Sequence, residues 1–157
     1  MATKKRRPKA GPAGDFEKMR LGMLVKRAEQ AMVRAKNDAL RSVGITLSQS
    51  VALAELNRQP GVAAAALART CLVSPQAMMI LLKSMEEQGL IRRTPHPRHA
   101  SVLELNLTNV GREVLRNAQA RVDPLERRVF SAFSSVETKS FRGFLVRFIE
   151  AFEQTKT

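Results

Sequence analysis

Apolar and polar residues between positions 74 and 93 follow the period of an α-helix. Apolar side chains recur at intervals of three and four residues, which places them in one stripe along a helix. They are Met78, Leu81, Leu82 and Met85. Ser74 can cap the first turn, Pro75 suits the first helical position, and Gly89 permits a left-handed stop. The pattern therefore predicts a helix over residues 74–88 with one buried side.

The other side of this predicted helix, its outer face, combines polar and apolar residues. It comprises Gln76, Met79, Ile80, Lys83 and Ser84. A helix side turned to water normally carries polar residues, and a side turned to the core carries apolar ones. Because the outer face fits neither pattern, we expect another surface to contact it.

Periodicity and capping residues predict helices along most of the remaining chain. The predicted spans are residues 15–43, 46–60, 63–70, 108 into the 120s, and 134–154. Thr46 with Gln49, and Ser134 with Glu137, have the spacing of capping boxes. Pro124 is expected to interrupt or restart the helix that Thr108 begins.

The centre of the chain has the pattern of a helix-turn-helix followed by a hairpin. Two short helices joined through Leu72-Val73, the second capped and followed by a basic segment, are typical of that motif. After Gly89 the period changes, and residues 90–94 and 101–107 are predicted as strands. The link, residues 95–100, cannot be a tight two-residue turn and is predicted as a basic hairpin loop. The expected fold is mainly α with a small β-wing.

The charge of the chain indicates a polyanionic partner. Its 157 residues suffice for about one domain, and 27 Lys and Arg against 14 Asp and Glu give a net charge of +13. Nucleic acid is the leading partner and an anionic membrane the second. No apolar run is long enough for a membrane helix, and the N-terminus lacks a signal peptide pattern, so we expect a cytoplasmic protein without membrane insertion. Residues 1–14 carry five cations and no acid and are predicted as a disordered basic arm, either a solubilising tail or a phosphate-binding segment.

Several classes of function lack the residues they require. Cys71 is the only cysteine and His96 and His99 are the only histidines, so neither a disulfide framework nor a metal site is expected. Cys71 is interpreted as an inert core residue in preference to an oxidation switch. No nucleophile and base pair or glycine-rich phosphate loop is visible, so an enzyme or a cofactor is not expected. Residues 17–129 contain no Phe, Tyr or Trp on which single-stranded bases could stack, which counts against RNA binding.

Six of the seven phenylalanines lie at or beyond residue 130. Four share one side of the last predicted helix, here the phenylalanine face: Phe141, Phe144, Phe148 and Phe152. Too little chain remains to cover them, so a second copy is expected to do so, and packing within one chain is the alternative.

These residues resemble the MarR family of winged-helix transcriptional regulators. The resemblance spans residues 44–115 and rests on short segments in order. They are Gly44-Ile45-Thr46-Leu47-Ser48-Gln49, Pro60-Gly61, Leu67-Ala68, Leu72-Val73-Ser74-Pro75, residues 85–93, and Leu107-Thr108 with Gly111. The resemblance implies a homodimer on a pseudo-palindromic duplex, acting as a repressor that a small phenolic or aromatic acid releases, in the cytoplasm at the bacterial nucleoid. It also implies dimerisation helices at residues 15–43 and 108–157 around a DNA-binding lobe at residues 44–107.

The sequence departs from the family pattern at two places. Met79-Ile80 replaces a polar pair on the recognition helix, and residues 97–100 lack the acid that usually braces the wing arginine. Met79 and Ile80 are predicted to contact thymine methyls and Gln76 to bond adenine, which favours an A/T-rich site. The alternative for Met79 and Ile80 is that they pack on the wing or the third helix. The alternative for the function is a non-specific architectural DNA-binding protein.

The predicted site residues fall into four groups. The recognition helix supplies Ser74, Gln76, Ala77, Met79, Ile80, Lys83 and Ser84. The wing supplies Arg92, Arg93, His96, Arg98 and His99. The dimerisation residues are Phe16, Phe141, Phe144, Phe148 and Phe152. Arg20 and Arg27 are proposed partners of an acidic effector, although a solvated charged edge is the simpler interpretation.

Overall fold

The structure is a computed structural model of the 157-residue chain, and it describes residues 19–96 and 99–154. Helices dominate these residues, with one hairpin of two strands. In chain order the elements are α1 (Leu21–Leu40), a 3-10 helix (Arg41–Val43), α2 (Leu47–Arg58), α3 (Ala64–Thr70), α4 (Pro75–Glu87), β1 (Ile91–His96), β2 (His99–Leu107), α5 (Asn109–Phe130) and α6 (Ser135–Glu153). The predicted mainly α fold with a small β-wing is confirmed. The predicted basic arm and Phe16 lie outside the described residues.

The described residues up to Ala35 and those from Lys36 onward belong to two separate compact units. In the described part of the first unit, residues 19–35, no side chain is buried. Its exposed apolar side chains include Leu21, Met23 and Met32. Most of α1 therefore has no core of its own within that unit.

Helix α1 begins later than predicted. Met19 and Arg20 are not helical, and the first turn forms when the Arg20 carbonyl accepts hydrogen bonds from the amides of Met23 (2.9 Å) and Leu24 (3.2 Å). At its other end α1 stops at Leu40, and the 3-10 helix follows it directly.

Four helices begin at the side-chain caps expected for them: Thr46, Ser74, Thr108 and Ser134. Two are capping boxes, at Thr46 with Gln49 and at Ser134 with Glu137. Each cap satisfies backbone amides that the first turn would leave without a partner. Gly89 adopts φ +68° after α4, the left-handed stop predicted for it.

The core of the second unit lies between the helix-turn-helix, the hairpin and the start of α5. Its buried apolar residues are Leu40, Ile45, Ala52, Leu53, Leu56, Leu67, Ala68, Met78, Leu82, Met85, Leu90, Ile91, Leu105, Leu107, Leu115 and Ala118. On α4, Met78, Leu82 and Met85 are buried and Leu81 packs against them. This confirms which side of α4 faces the core.

The two strands extend further than predicted. β1 and β2 pair antiparallel from Ile91 opposite Leu107 to His96 opposite His99, with a register shift after Pro95. The prediction that residues 95–100 form a loop is therefore wrong for the described positions, and residues 97–98 lie outside them. Pro95 is accepted because β1 is an edge strand, where a missing N–H need not face a partner, and the shift absorbs the irregular pairing.

Helix α5 runs through Pro124 without a break, so the predicted interruption is wrong. A proline inside a helix removes the hydrogen bond to the carbonyl four residues earlier. That carbonyl belongs to Ala120, which is exposed, and water can satisfy it.

The start of α5 is locked to the end of α4. The Thr108 amide donates to the Leu90 carbonyl (3.1 Å), and the Thr108 hydroxyl donates to the Gly89 carbonyl (2.6 Å). Gly111 lies so close that a Cβ there would be 2.0 Å from the Leu90 oxygen. Only glycine permits this approach of α5 to the base of the hairpin.

Candidate nucleic-acid interface

Helices α3 and α4 form the two helices of the helix-turn-helix. They meet at a bend of 109°, and the chain turns between them at Leu72, whose φ is +56°. The Ser74 hydroxyl accepts a hydrogen bond from the Ala77 amide (3.2 Å) and fixes the start of α4. With its core side buried against the rest of the lobe, α4 presents its outer face.

The outer face is open within the described structure. Ile80 is 73% exposed and Met79 47% exposed. Gln76 and Lys83 are exposed and Ser84 is half-buried. The wing and the third helix therefore do not cover Met79 and Ile80, as the alternative required, because most of Ile80 and about half of Met79 remain exposed.

The described part of the hairpin places two arginines in different environments. Arg92 is exposed, while Arg93 is half-buried. The Arg93 Nη2 atom lies 2.9 Å from Glu86 Oε2 on α4, a contact that the sequence did not reveal. The side chains of His96, Arg98 and His99 lie outside the described part of the structure.

A chain of amide and hydroxyl groups holds α4 against α2. The Gln49 side chain is buried, and its Nε2 donates to Gln88 Oε1 (3.2 Å). Gln88 Nε2 in turn donates to the Ser84 hydroxyl (3.2 Å). The sequence indicates Gln49 only as a capping residue and does not single out Gln88, because this hydrogen bond joins residues 39 positions apart.

Cations of the lobe differ in whether an acid accompanies them. Arg58 pairs with Glu55 at 2.7 Å, while Arg69 and Arg92 are exposed and form no ion pair within residues 19–96 and 99–154. Exposed cations of this kind suit phosphate contacts.

The phenylalanine face of α6 is uncovered. No residue of α6 is buried, and Phe141, Phe144 and Phe152 are exposed. Phe141 stacks on Phe133 with ring centroids 5.9 Å apart, and Phe148 lies 5.0 Å from Phe152. The rings therefore contact one another without being enclosed.

The two predicted effector residues lie in the first unit: Arg20 just before α1 and Arg27 within it, both exposed. A separate cavity of about 460 Å³ lies in the second unit, between the 3-10 helix and α5. Its lining residues are Ser42, Val43, Val114, Asn117, Ala120 and Arg121. Arg121 gives this cavity a cation that the sequence did not single out.

Cys71 lies between α3 and α4 and is half-buried. Its burial, with a smaller contribution from the negative charge of Glu55, raises the pKa of the thiol above its ordinary value. A raised pKa reduces the thiolate fraction and with it the reactivity. This favours the inert interpretation.

Residues 19–96 and 99–154 lack the features of two further kinds of site. No group of three or more His, Cys, Asp and Glu side chains there could hold a metal ion. No single helix there is long and apolar enough to cross a bilayer. Helices α3 and α4 together have sufficient length and apolar composition, but they form a bent pair.

Two helices at a sharp angle, the second with an open outer face, followed by an antiparallel hairpin, define a winged helix-turn-helix. The chain belongs to the MarR family. A family model described as MarR family matches residues 43–100. The HTH-type transcriptional repressor Rv2887 of Mycobacterium tuberculosis (strain H37Rv) is 31% identical over 125 residues, which cover 80% of this chain and 90% of that protein.

Solved structures of Rv2887 are similar to this chain over most of its length. The complex with salicylic acid has 29% identity and a TM-score of 0.65, covering 85% of this chain and 98% of that one. The complex with DNA has 29% identity and a TM-score of 0.64, covering 83% and 98%. The family resemblance seen in the sequence is thus confirmed.

Proposed function

We propose that this protein is a transcriptional repressor that binds double-stranded DNA sequence-specifically and is associated with the bacterial nucleoid. The observation that carries the proposal is the open outer face of α4, which holds polar and apolar side chains together on a capped, well-anchored helix. The similarity to a named repressor that has been solved with DNA supports it.

In this proposal α4 lies in the major groove. The Gln76 amide can bond adenine N6 and N7, and Met79 and Ile80 can contact thymine C5-methyl groups. Ser74, Ala77 and Ser84 flank these contacts, and Lys83 binds the phosphate backbone. Apolar contacts to thymine predict an A/T-rich operator.

The wing contributes charge at the edge of the site. Arg92, which is exposed on β1, is proposed to contact phosphate. Arg98 is proposed for the adjacent minor groove, with His96 and His99 beside it.

Two copies are proposed to assemble through their terminal helices, at residues 15–43 and 108–157. The uncovered phenylalanine face of α6 supports this, since rings exposed together on one helix normally mark an interface. A two-fold dimer would match a pseudo-palindromic duplex with half-sites about one helical turn apart.

A small aromatic acid is the proposed effector, supported by the salicylic acid complex of Rv2887. A carboxylate entering an apolar pocket needs a cation. The cavity beside Arg121 offers that cation next to Val43 and Val114, and Arg20 and Arg27 are the candidates from the sequence. Calorimetric titration with salicylate distinguishes these sites. If salicylate binds in the cavity, Arg121→Gln should abolish binding. If it binds at the residues indicated by the sequence, the double variant Arg20→Gln with Arg27→Gln should abolish binding instead.

The test of the function is selection of bound duplexes from a random library. We then measure anisotropy on the selected duplex and a scrambled one at two salt concentrations. A repressor should select an A/T-rich palindrome and prefer it by about 10³-fold or more. Equal affinity for both duplexes, with only a steep salt dependence, would instead indicate an architectural DNA-coating protein.

A further inference from the structure

One ion pair connects the recognition helix to the wing. Arg93 on β1 and Glu86 on α4 approach to 2.9 Å, with side chains 23% and 33% exposed. The neighbouring acid on the same helix, Glu87, is 3.9 Å from Lys83, with the Glu87 and Lys83 side chains 66% and 79% exposed. Two adjacent glutamates on one helix therefore differ in partner, distance and enclosure.

The Arg93 guanidinium is largely enclosed in this position. Its Nε atom is buried and has no hydrogen-bond partner among the described residues. A half-buried charge that loses its counter-ion is costly, because solvent does not fully replace the missing partner. Arg93 consequently depends on Glu86 more than an exposed arginine would.

The pair lies beside the proposed DNA-reading residues. Glu86 and Arg93 line an open cavity of about 510 Å³ together with Met79, Ile80 and Lys83. The ion pair thus lies on the side of the outer face that adjoins the hairpin, where it joins α4 directly to β1.

We propose that Glu86 and Arg93 are positioning residues, whose ion pair fixes the wing relative to the recognition helix, and that Arg93 does not bind phosphate. This inference rests on the proposed DNA-binding function. It reassigns Arg93, which the sequence suggests as a direct DNA contact, and adds Glu86, which the sequence does not suggest at all.

The two roles of Arg93 predict opposite signs for Glu86→Gln. If Arg93 binds phosphate, removing Glu86 frees the guanidinium and deletes an anion near the duplex, so affinity rises. If the ion pair positions the wing, Glu86→Gln lowers affinity for the selected duplex by about tenfold. Glu87→Gln is the matched control, since it makes the same charge change on the next residue, and should leave affinity unchanged or raise it slightly.

Salt dependence provides a second readout. Log affinity falls as log salt rises, and removing one phosphate-binding cation makes this negative slope shallower by about 0.9. We expect Arg93→Gln to reduce affinity with the wild-type slope retained, and Arg92→Gln to reduce the slope. The double variant E86Q/R93Q should bind no worse than either single variant, because both remove one interaction. A reduced slope in Arg93→Gln, or an affinity gain in Glu86→Gln, overturns the inference.

Hydrogen exchange in the free protein tests the same ion pair without DNA. Glu86→Gln should accelerate exchange of the hairpin amides over residues 91–96 and 103–107, and Glu87→Gln should not. Unchanged exchange in Glu86→Gln would count against positioning even if no selected duplex is found. Failure of the wild-type protein to discriminate between duplexes overturns the proposed function, whereas normal discrimination with an unaffected Glu86→Gln variant overturns this inference alone.

Discussion

At the scale of single residues, the DNA contacts proposed for the outer face are of two kinds, those that specify a sequence and those that supply affinity. Gln76, Met79 and Ile80 are proposed to contact base edges, and Lys83 is proposed to contact the phosphate backbone. Base contacts carry sequence information and phosphate contacts do not. Substitutions on one helix can therefore be distinguished by how their effects depend on the DNA sequence.

We expect Gln76→Ala to cost about 1–3 kcal/mol on the selected duplex and to relax the preference at one base pair. Lys83→Ala should weaken binding to selected and scrambled duplexes alike and lower the salt slope by about one unit. Anisotropy titrations on both duplexes measure these effects. Replacing thymine by uracil should reduce affinity if Met79 and Ile80 contact methyl groups, and an unchanged affinity would refute those contacts.

Cys71 yields a prediction about reactivity. Because burial raises the pKa of its thiol, the pH profile of alkylation should have a higher midpoint in the folded protein than in the urea-unfolded chain, since the thiolate is the reacting form. Iodoacetamide rates across neutral to alkaline pH measure both midpoints. Peroxide treatment should leave DNA affinity unchanged, and a loss of affinity that thiol reductant reverses would establish a redox switch.

At the scale of helices and strands, local chemistry was predictable and tertiary contacts were not. The caps at Thr46, Ser74, Thr108 and Ser134 follow from hydrogen bonds between near neighbours, which the sequence displays directly. The Glu86–Arg93 and Gln49–Gln88 contacts join different elements, so no local pattern contains them. The error at the described positions of residues 95–100 has the same origin, because an edge strand accepts a proline that a central strand would not.

The junction between the hairpin and α5 gives a prediction at this scale. Gly111→Ala would place a Cβ 2.0 Å from the Leu90 oxygen, and the backbone must shift, so we expect a loss of about 1–3 kcal/mol in the free energy of unfolding. Gly143→Ala is the control, since a Cβ at that position would have no neighbouring atom within 4 Å among the described residues. In a helix it should stabilise by about 0.5–1 kcal/mol. Urea unfolding measures both, and equal stabilities would refute the close approach.

At the scale of the whole molecule, the described chain leaves two apolar surfaces without cover, one on residues 21–32 and one on α6. The sequence already indicated the second, because four rings recur on one side of the last helix. It could not show that the rings remain exposed after folding, since that depends on where the rest of the chain packs. Exposure of the α6 rings within the second unit supports the proposed second copy.

Phe144→Asp tests the assembly. A charge placed among the exposed rings of α6 cannot be buried against a second copy without a large desolvation cost, so light scattering after size exclusion should change from dimer to monomer at micromolar concentration. Val51→Asp, a similar change at an exposed apolar residue of α2, outside the proposed dimerisation helices, should remain dimeric. A monomer would still carry an intact α4 and would bind one half-site, so its affinity for the palindrome should fall towards its affinity for a single half-site. If the wild-type protein is a monomer, or if the Phe144→Asp variant binds the palindrome as tightly as wild type, α6 does not join two DNA-binding lobes.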